Sequence, residues 1–234
     1  MKKYEISFLI PAFNEEMNIK KVLGDIDSVS RFLGLRKYEM IVVNDGSTDN
    51  TKIILESLQK KFNVIKIINF EKNRGYADAF KEGFRVAKCP LIFCTDADGQ
   101  CNIKELKSLL NVMEKYNCDL VFGYRNKRKD SVGRILISYV FNRLSNNLFS
   151  LNLRDINCPF KLFKKRVLDN IQIKSKGFLV DLELATKAKK YGFVIKQTPV
   201  THYPRRAGKS KFRLRTIFET FYGMLKLRKE LGSL

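Results

Sequence analysis

The chain has 234 residues, of which 44% are hydrophobic, and its formal net charge at pH 7 is +21. This length and composition fit one α/β domain with a substantial core and argue against intrinsic disorder. The five cysteines include no CxxC pair, which argues against a zinc cluster or a disulfide framework. Histidine occurs once, which excludes a site built from two histidines. No apolar run approaches the roughly 20 residues of a membrane-spanning helix.

Basic residues are concentrated in the second half of the chain. Residues 1–124 carry 19 Lys and Arg against 17 Asp and Glu, whereas residues 125–234 carry 26 against 7. This asymmetry predicts an anionic partner: phosphorylated substrates, an anionic membrane or nucleic acid. Nucleic acid is the least favoured partner because the chain has no RNP pattern, zinc-finger spacing or helix-turn-helix signature.

The first half alternates short apolar runs with amphipathic stretches. The runs predict strands at residues 6–12, 38–45, 64–70, 90–98 and 119–125, and the four intervening stretches predict helices. Strands that are apolar throughout favour a mostly parallel, Rossmann-like α/β sheet with helices on both faces. In such a sheet, ligands bind beyond the carboxyl ends of the strands.

The second half is less regular. It predicts a helix at 133–149, a short strand leading into a helix at 157–171, a helix at 181–192 and a strand at 193–203. A basic loop then precedes an amphipathic C-terminal helix, 213–234, which either packs on the core or lies in a membrane interface. Its predicted apolar stripe is Leu214, Ile217, Phe218, Phe221 and Leu225.

Two acidic residues, Asp96 and Asp98, follow the fourth predicted strand in the stretch DADGQ. Alternate residues just beyond a strand can face one crevice. Their carboxylates, with the amide oxygen of Gln100, suit a Mg²⁺ or Mn²⁺ ion that carries a diphosphate. The same residue types are common in turns, so this pair alone does not establish a metal site.

Polar residues also follow the other strands. Asp45 is placed to accept hydrogen bonds from a nucleobase, while one of residues 47–49 caps the next helix. Asn14 and Glu15 either cap the first helix or bind ribose hydroxyls. Gly75 permits the backbone to approach a ligand closely.

The second half offers three further candidates. Asp181 either orients an acceptor, acts as a base toward a hydroxyl acceptor, or caps its helix. Glu183 is expected to be solvated. His202 is expected to be structural, because a lone histidine at a strand end is more often so.

Eight motifs, taken in order, carry a family resemblance: PAFNE, VVNDGSTD, NRGYADA, DADGQ, GYR, NCPFKLFKK, GFLVDLEL and RRAGKSKF. Together they resemble the inverting family-2 glycosyltransferases of GT-A fold. Within that family they are most similar to the dolichol- and undecaprenyl-phosphate sugar transferases. The resemblance implies a catalytic domain at 1–212, with a nucleotide-sugar half at 1–124 and an acceptor half at 125–212, followed by the helix 213–234.

The resemblance also implies roles for individual residues. It assigns the nucleotide, diphosphate and metal to Pro11, Asn14, Glu15, Asp45, Gly75, Asp96, Ala97, Asp98 and Gln100. It assigns the acceptor phosphate and the reaction itself to Asp98, Arg125, Arg134, Asp181, Arg205 and Lys211. The implied reaction moves a hexose from GDP-mannose or a UDP-hexose to a polyprenyl phosphate, with Mg²⁺ or Mn²⁺. The implied location is cytoplasmic, peripherally on the inner face of an anionic membrane.

Two departures from the family pattern leave alternatives open. Asn44 stands where DDGS is the commoner motif, and INCPF at 156–160 replaces a Ser/Thr–Gly–Phe stretch. One alternative is therefore a peripheral glycosyltransferase that acts on a saccharide hydroxyl, with Asp181 as its base. The others are a basic nucleic-acid-binding protein and a non-catalytic relative. The intact DADGQ and RRAGKSK stretches argue against the non-catalytic relative.

Overall fold

The computed structural model describes residues 4–126, 128–204 and 214–232, and of residues 214–218 it describes the backbone only. Arg205 and Lys211 therefore lie outside the described residues. The described residues form seven strands, eight α-helices and a 3₁₀ helix at Ile103–Glu105. In chain order the strands and α-helices are β1 (Glu5–Ala12), α1 (Ile19–Phe32), β2 (Lys37–Asn44), α2 (Thr51–Lys61), β3 (Ile65–Asn69), α3 (Tyr76–Val86), β4 (Leu91–Cys94), α4 (Leu106–Lys115), β5 (Leu120–Asn126), α5 (Val132–Phe149), β6 (Lys161–Lys164), α6 (Arg166–Asp169), α7 (Leu179–Lys190), β7 (Ile195–Thr201) and α8 (Leu214–Gly232).

These strands form one sheet in the order β3–β2–β1–β4–β6–β5–β7. β6 runs antiparallel between β4 and β5, while the other neighbouring pairs are parallel. The prediction of a mostly parallel sheet is confirmed. Because β1, β2, β4 and β5 point the same way, the polar residues that follow them gather along one edge.

Helices cover both faces of the sheet, and β1 shows how its residues divide between them. Phe8 and Ile10 face the core formed with α1, α2 and α4, whereas Leu9 faces the core formed with α3, α5, α7 and α8. All three side chains are fully buried. Burial of such a side chain stabilises the fold by about 1.5–3 kcal/mol, so the strands are apolar on both faces.

The C-terminal helix α8 packs on the core. Its buried residues are Met224, Leu227 and Leu231, which lie in the cluster shared with α5 and α7. Ser145 of α5 donates a hydrogen bond from Oγ to Met224 Sδ at 3.5 Å. The sequence left two positions for this helix, on the core or in a membrane interface, and its second half packs on the core.

The predicted apolar stripe of α8 is partly wrong. Phe221 does pack against the core, but the side chain of Leu225 is 61% exposed. The reason is that the apolar residues of the second half recur along a different line of the helix, which faces α5 and α7. The other stripe side chains, those of Leu214, Ile217 and Phe218, lie outside the described residues. None of the helices in the described part of the chain is long and apolar enough to span a bilayer.

Two loops at the carboxyl edge of the sheet meet at Gly46. Its φ is +66°, and a Cβ at this position would lie 2.4 Å from the carbonyl carbon of Lys72 and 2.5 Å from the backbone nitrogen of Asn73. Glycine is thus the residue that lets the loop after β2 contact the loop after β3.

Replacement of Gly46 is expected to loosen this edge of the sheet. Gly46→Ala should lower the free energy of unfolding by about 2–4 kcal/mol, because backbone strain adds to a clash that neighbouring backbone cannot relieve. Gly34→Ala is the matched control, since Gly34 has φ +60° with open space around it. It should cost about 1 kcal/mol. Urea unfolding measures both, and equal losses would contradict the close approach.

Candidate functional site

A polar cavity of about 320 Å³ lies at the carboxyl edge of the sheet. Most of the residues predicted to bind the nucleotide, diphosphate and metal line it, in agreement with the rule that ligands bind beyond the carboxyl ends of parallel strands. The predicted residues in its wall are Pro11, Glu15, Asp45, Gly75, Asp96, Ala97, Asp98, Gln100 and Arg134. The structure thus brings together residues that lie up to 123 positions apart in the sequence, from 11 to 134.

Asn14 joins two loops and is not part of that wall. It adopts φ +55°, its N–H donates to Ser47 Oγ at 3.0 Å, and its Oδ1 accepts from the Thr48 N–H at 2.8 Å. Glu15 is buried, and its carboxylate accepts from Asn18 Nδ2 at 2.8 Å, just before α1 begins. Asn14 therefore orders the rim of the cavity, while Glu15 lines it.

Asp45 anchors the loop that follows β3. Its carboxylate accepts hydrogen bonds from Asn73 Nδ2 at 2.9 Å and from the N–H groups of residues 74–75 at 2.6 and 2.9 Å. Burial raises the pKa of Asp45, and the two backbone donors oppose that rise. The predicted cap of α2 is wrong by one residue, because α2 begins at Thr51 with Asn50 as its N-cap residue; Asp49 Oδ1 nevertheless accepts a hydrogen bond from the Thr51 N–H at 3.0 Å.

Asp96 and Asp98 form the acidic part of the cavity. Burial and the neighbouring negative charge of Asp98 raise the pKa of Asp96 to about 7. The N–H of Gln100 donates to Asp98 Oδ1 at 3.0 Å, and Gln100 Nε2 donates to the Tyr203 carbonyl at 3.0 Å. A buried carboxylate whose pKa is raised by burial and by a second carboxylate beside it favours a cation at this position.

The oxygen ligands that this cavity offers to a metal fit Mg²⁺ or Mn²⁺ with a phosphorylated ligand. Within the described ranges, no three His, Cys, Asp or Glu side chains come close enough to hold a metal. The described part of the chain thus offers two carboxylates and leaves further positions to water and ligand oxygens. Mg²⁺ is usually bound in this way, through one or two carboxylates plus substrate phosphates.

A second cavity, of about 170 Å³, adjoins the first and combines basic with apolar walls. Its basic residues are Arg125, Arg128 and Arg134, and its apolar residues are Ile137, Phe141, Pro159, Phe178 and Phe221. The two cavities share Tyr76, Asp96, Arg134 and Phe178. The acidic pair and the basic wall therefore meet at a common junction.

Arg125, at the end of β5, is bound to Asp155. Its Nε lies 2.6 Å from Asp155 Oδ2 and its Nη2 lies 2.8 Å from Oδ1, and both side chains are under 10% exposed. Burial acts to raise the pKa of Asp155, but the hydrogen bonds and charge of Arg125 outweigh it, so the net shift is downward. This bidentate pair fixes the cavity wall. A contact of Arg125 with a phosphate stays a prediction.

Asp181 is not the cap of its helix. α7 begins at Leu179 with Phe178 as the N-cap residue, so Asp181 lies inside the first turn, 3% exposed, and lines the second cavity. Its Oδ1 lies 2.9 Å from the Nζ of the fully buried Lys161, so the two side chains form a buried ion pair. Burial raises the pKa of Asp181, and Lys161 opposes the rise.

The expectation of a solvated Glu183 is wrong. Its side chain is 1% exposed and accepts hydrogen bonds from the N–H groups of residues 174–175 and from Lys187 Nζ. The helix turns this residue toward the loop before α7, whose backbone donors need an acceptor. Glu183 therefore holds that loop in place.

Among the described residues, His202 contacts the backbone of a neighbouring loop, as expected for a structural histidine. It is 5% exposed, and its Nδ1 accepts from the Lys129 N–H at 3.2 Å. Burial lowers its pKa, which favours the neutral ring that this hydrogen bond requires.

Sequence reasoning missed Arg128 and Asp130, which lie between β5 and α5. Asp130 is 4% exposed at its side chain and contacts both Arg128 and Arg134. The available signal was the basic run NKRKD directly before a helix that carries the predicted Arg134. An acidic residue among four basic ones can serve as their common partner.

Comparison with known proteins identifies the family. Residues 7–172 match the family model for glycosyl transferase family 2. The chain belongs to this family. A dodecaprenyl-phosphate galacturonate synthase of Rhizobium johnstonii is 26% identical over 233 aligned positions, which cover 97% of this chain and 67% of that protein. A dolichol-phosphate mannosyltransferase of Pyrococcus furiosus is 29% identical over 241 positions, which cover 98% of this chain and 65% of that protein. The chain thus spans about two thirds of the length of these two relatives.

Solved structures confirm the GT-A fold of this glycosyltransferase. A glucosyl-3-phosphoglycerate synthase of Mycobacterium tuberculosis, in complex with Mn²⁺, UDP and glucosyl-3-phosphoglycerate, has a TM-score of 0.74 at 19% identity. The match covers 96% of this chain and 80% of the other. The same synthase with Mn²⁺, UDP-glucose and phosphoglyceric acid has a TM-score of 0.75 at 16% identity over 97% and 80% of the two chains.

Metal binding at Asp96 and Asp98 is expected to depend on pH. Because the pKa of Asp96 is about 7, protons compete with the cation below that value. Mn²⁺ affinity, measured by calorimetry in the presence of UDP or GDP, should rise from about pH 6 to about pH 8 and then level off. Asp96→Asn should abolish most of the binding. Asp25→Asn, a change on the exposed side of α1, is the matched control.

The stability of the metal-free protein should show the opposite trend. The folded pKa of Asp96 lies above its ordinary value of 3.8, so its contribution is present below about pH 4 and is lost as the pH rises through about 7. Thermal unfolding with EDTA, compared between the wild type and Asp96→Asn, isolates this group.

A wild-type Mn²⁺ affinity that does not change between pH 6 and 8 would contradict the raised pKa.

Proposed function

We propose that this glycosyltransferase moves a hexose from a nucleotide diphosphate sugar to a polyprenyl phosphate, with inversion at the anomeric carbon. The observation that carries the proposal is the junction at Asp96 and Arg134, where the acidic cavity opens into the basic and apolar one. A ligand with a phosphate head and a hydrocarbon chain needs both kinds of wall. The names of the Rhizobium and Pyrococcus relatives support the same acceptor class.

The donor occupies the polar cavity in this proposal. Glu15, Asp45 and Gly75 line the first cavity and not the second, which suits the nucleoside. Asp96 and Asp98, with Gln100 beside them, would hold Mg²⁺ or Mn²⁺ together with the diphosphate. When held there, such a cation would supply positive charge to the departing nucleoside diphosphate.

The acceptor phosphate lies on the other side of the junction. A phosphate monoester is largely ionised at neutral pH, so attack on the anomeric carbon needs positioning more than a strong base. Arg134 reaches both cavities and suits an anion, because a guanidinium grips phosphate oxygens and stays charged. Because such an acceptor needs no strong catalytic base, Asp181, which is paired with Lys161, can instead help to orient the substrates.

Transfer assays test the acceptor class. Purified protein with Mn²⁺ is offered GDP-mannose, UDP-glucose and UDP-hexosamines, with undecaprenyl phosphate, oligosaccharides or phosphoglyceric acid as acceptors. We expect a lipid-linked product. Arg134→Ala should lower its rate by roughly 10²-fold, as for loss of one charge-stabilising group, while nucleotide binding is retained. Arg85→Ala, exposed on α3, is the control. Transfer to a sugar hydroxyl or to phosphoglycerate, with none to lipid, would overturn the proposal.

We also propose that α5 rests on the anionic inner face of a cytoplasmic membrane. Val132, Leu136 and Tyr139 are 84%, 61% and 65% exposed and recur at helical spacing along one side of α5. Arg143 is exposed on the same helix, and attraction to anionic lipid is worth about 1 kcal/mol for each such residue. This position would bring the second cavity next to the lipid headgroups.

Vesicle sedimentation tests the membrane contact. The double variant Leu136→Ser/Tyr139→Ser should bind vesicles of phosphatidylglycerol and phosphatidylcholine at least about tenfold more weakly, because it removes apolar side-chain area that the bilayer would bury. The matched control is Phe32→Ser/Ile53→Ser, which changes equally exposed residues on the helices of the opposite sheet face. Equal binding by both double variants would contradict the role of α5.

A further inference from the structure

We infer that Asp130 is a positioning residue that holds Arg128 and Arg134 as a matched pair, and that Arg128 is a further contact for the acceptor phosphate. The inference rests on the proposed function and deepens it at the acceptor side. It adds one phosphate-binding residue and one supporting carboxylate to the predicted set.

The geometry begins with a buried carboxylate between two arginines. Asp130 Oδ2 accepts from Arg128 Nε at 2.9 Å and lies 2.8 Å from Arg128 Nη2. Asp130 Oδ1 lies 3.1 Å from Arg134 Nη1. The side chain of Asp130 is 4% exposed, so these contacts are little screened by water. Each oxygen of the carboxylate thus faces a different arginine.

Both arginines face the same cavity. Arg128 and Arg134 line it together with Ser138, whose Oγ accepts from Arg128 Nη1 at 2.6 Å. Arg128 is thereby held at three nitrogens, two by Asp130 and one by Ser138. An arginine side chain has many rotamers, and a guanidinium that is already fixed loses less conformational entropy when a phosphate binds.

The charge of Asp130 makes this arrangement testable. A carboxylate beside an anion site weakens the attraction for a phosphate if charge alone matters. If Asp130 instead positions the two arginines, its removal weakens phosphate binding although the site becomes more positive. The two effects predict changes of opposite sign.

Asp130→Asn measures which effect is larger. Farnesyl phosphate serves as a water-soluble polyprenyl phosphate and is titrated calorimetrically with Mn²⁺ and nucleotide present. We expect its Kd to rise roughly tenfold or more, as for loss of a charge-assisted contact, with the Kd of the nucleotide unchanged. Asp130→Glu, which keeps the carboxylate, should recover part of the affinity. A Kd that is unchanged or lower in Asp130→Asn overturns the positioning role.

Further variants separate the possible failures. Asp25→Asn makes the same charge change on α1, far along the chain and outside both cavities, and should leave farnesyl phosphate binding unchanged. Arg128→Gln provides a second test if Asp130→Asn does not fold, and its Kd should also rise roughly tenfold. If the wild type does not bind farnesyl phosphate, the proposed function fails. If the wild type binds it and Arg128→Gln binds equally well, this inference fails.

Discussion

The site depends on the compensation of buried charge. An isolated charge in a protein interior costs several kcal/mol, so a buried carboxylate needs a cationic partner. Asp155 has Arg125 and Asp181 has Lys161, each with an N···O distance under 3 Å. Asp96 instead has another carboxylate as its near neighbour, and burial together with that negative charge raises its pKa. The distribution of paired and unpaired charge therefore marks where a cation fits and where an anion fits.

Much of the fold could be predicted because its signals are local. The apolar runs gave the strands, and Ile19, Val22, Leu23 and Ile26 at helical spacing are the buried face of α1. The grouping of the residues predicted to bind the nucleotide and metal followed from one topological rule, since strands that point the same way end at the same edge of the sheet. The antiparallel placement of β6 had no such signal. It depends on pairing between residues such as Cys94 and Lys161, which are distant in the sequence.

The errors in the second half have a common physical cause. A residue such as Asp181 is a suitable cap only if the helix begins next to it, and packing starts α7 two residues earlier. The burial of Glu183 and the exposure of Leu225 likewise depend on which neighbour each helix meets. Asp130 was overlooked because one partner, Arg128, was missed as well, and the other, Arg134, was assigned to the acceptor phosphate. Local patterns do not record these tertiary choices.

The insertion of β6 between β4 and β5 has a consequence for how the protein acquires its activity. A strand from the second half of the chain completes the hydrogen-bonding ladder of two strands from the first half. Neither half can close its sheet by itself, so the whole sheet is expected to assemble in one cooperative transition. A species with the first cavity formed but without the second is then expected to be scarcely populated. Interleaving the two halves of the chain in one sheet thereby ties the formation of each cavity to that of the other.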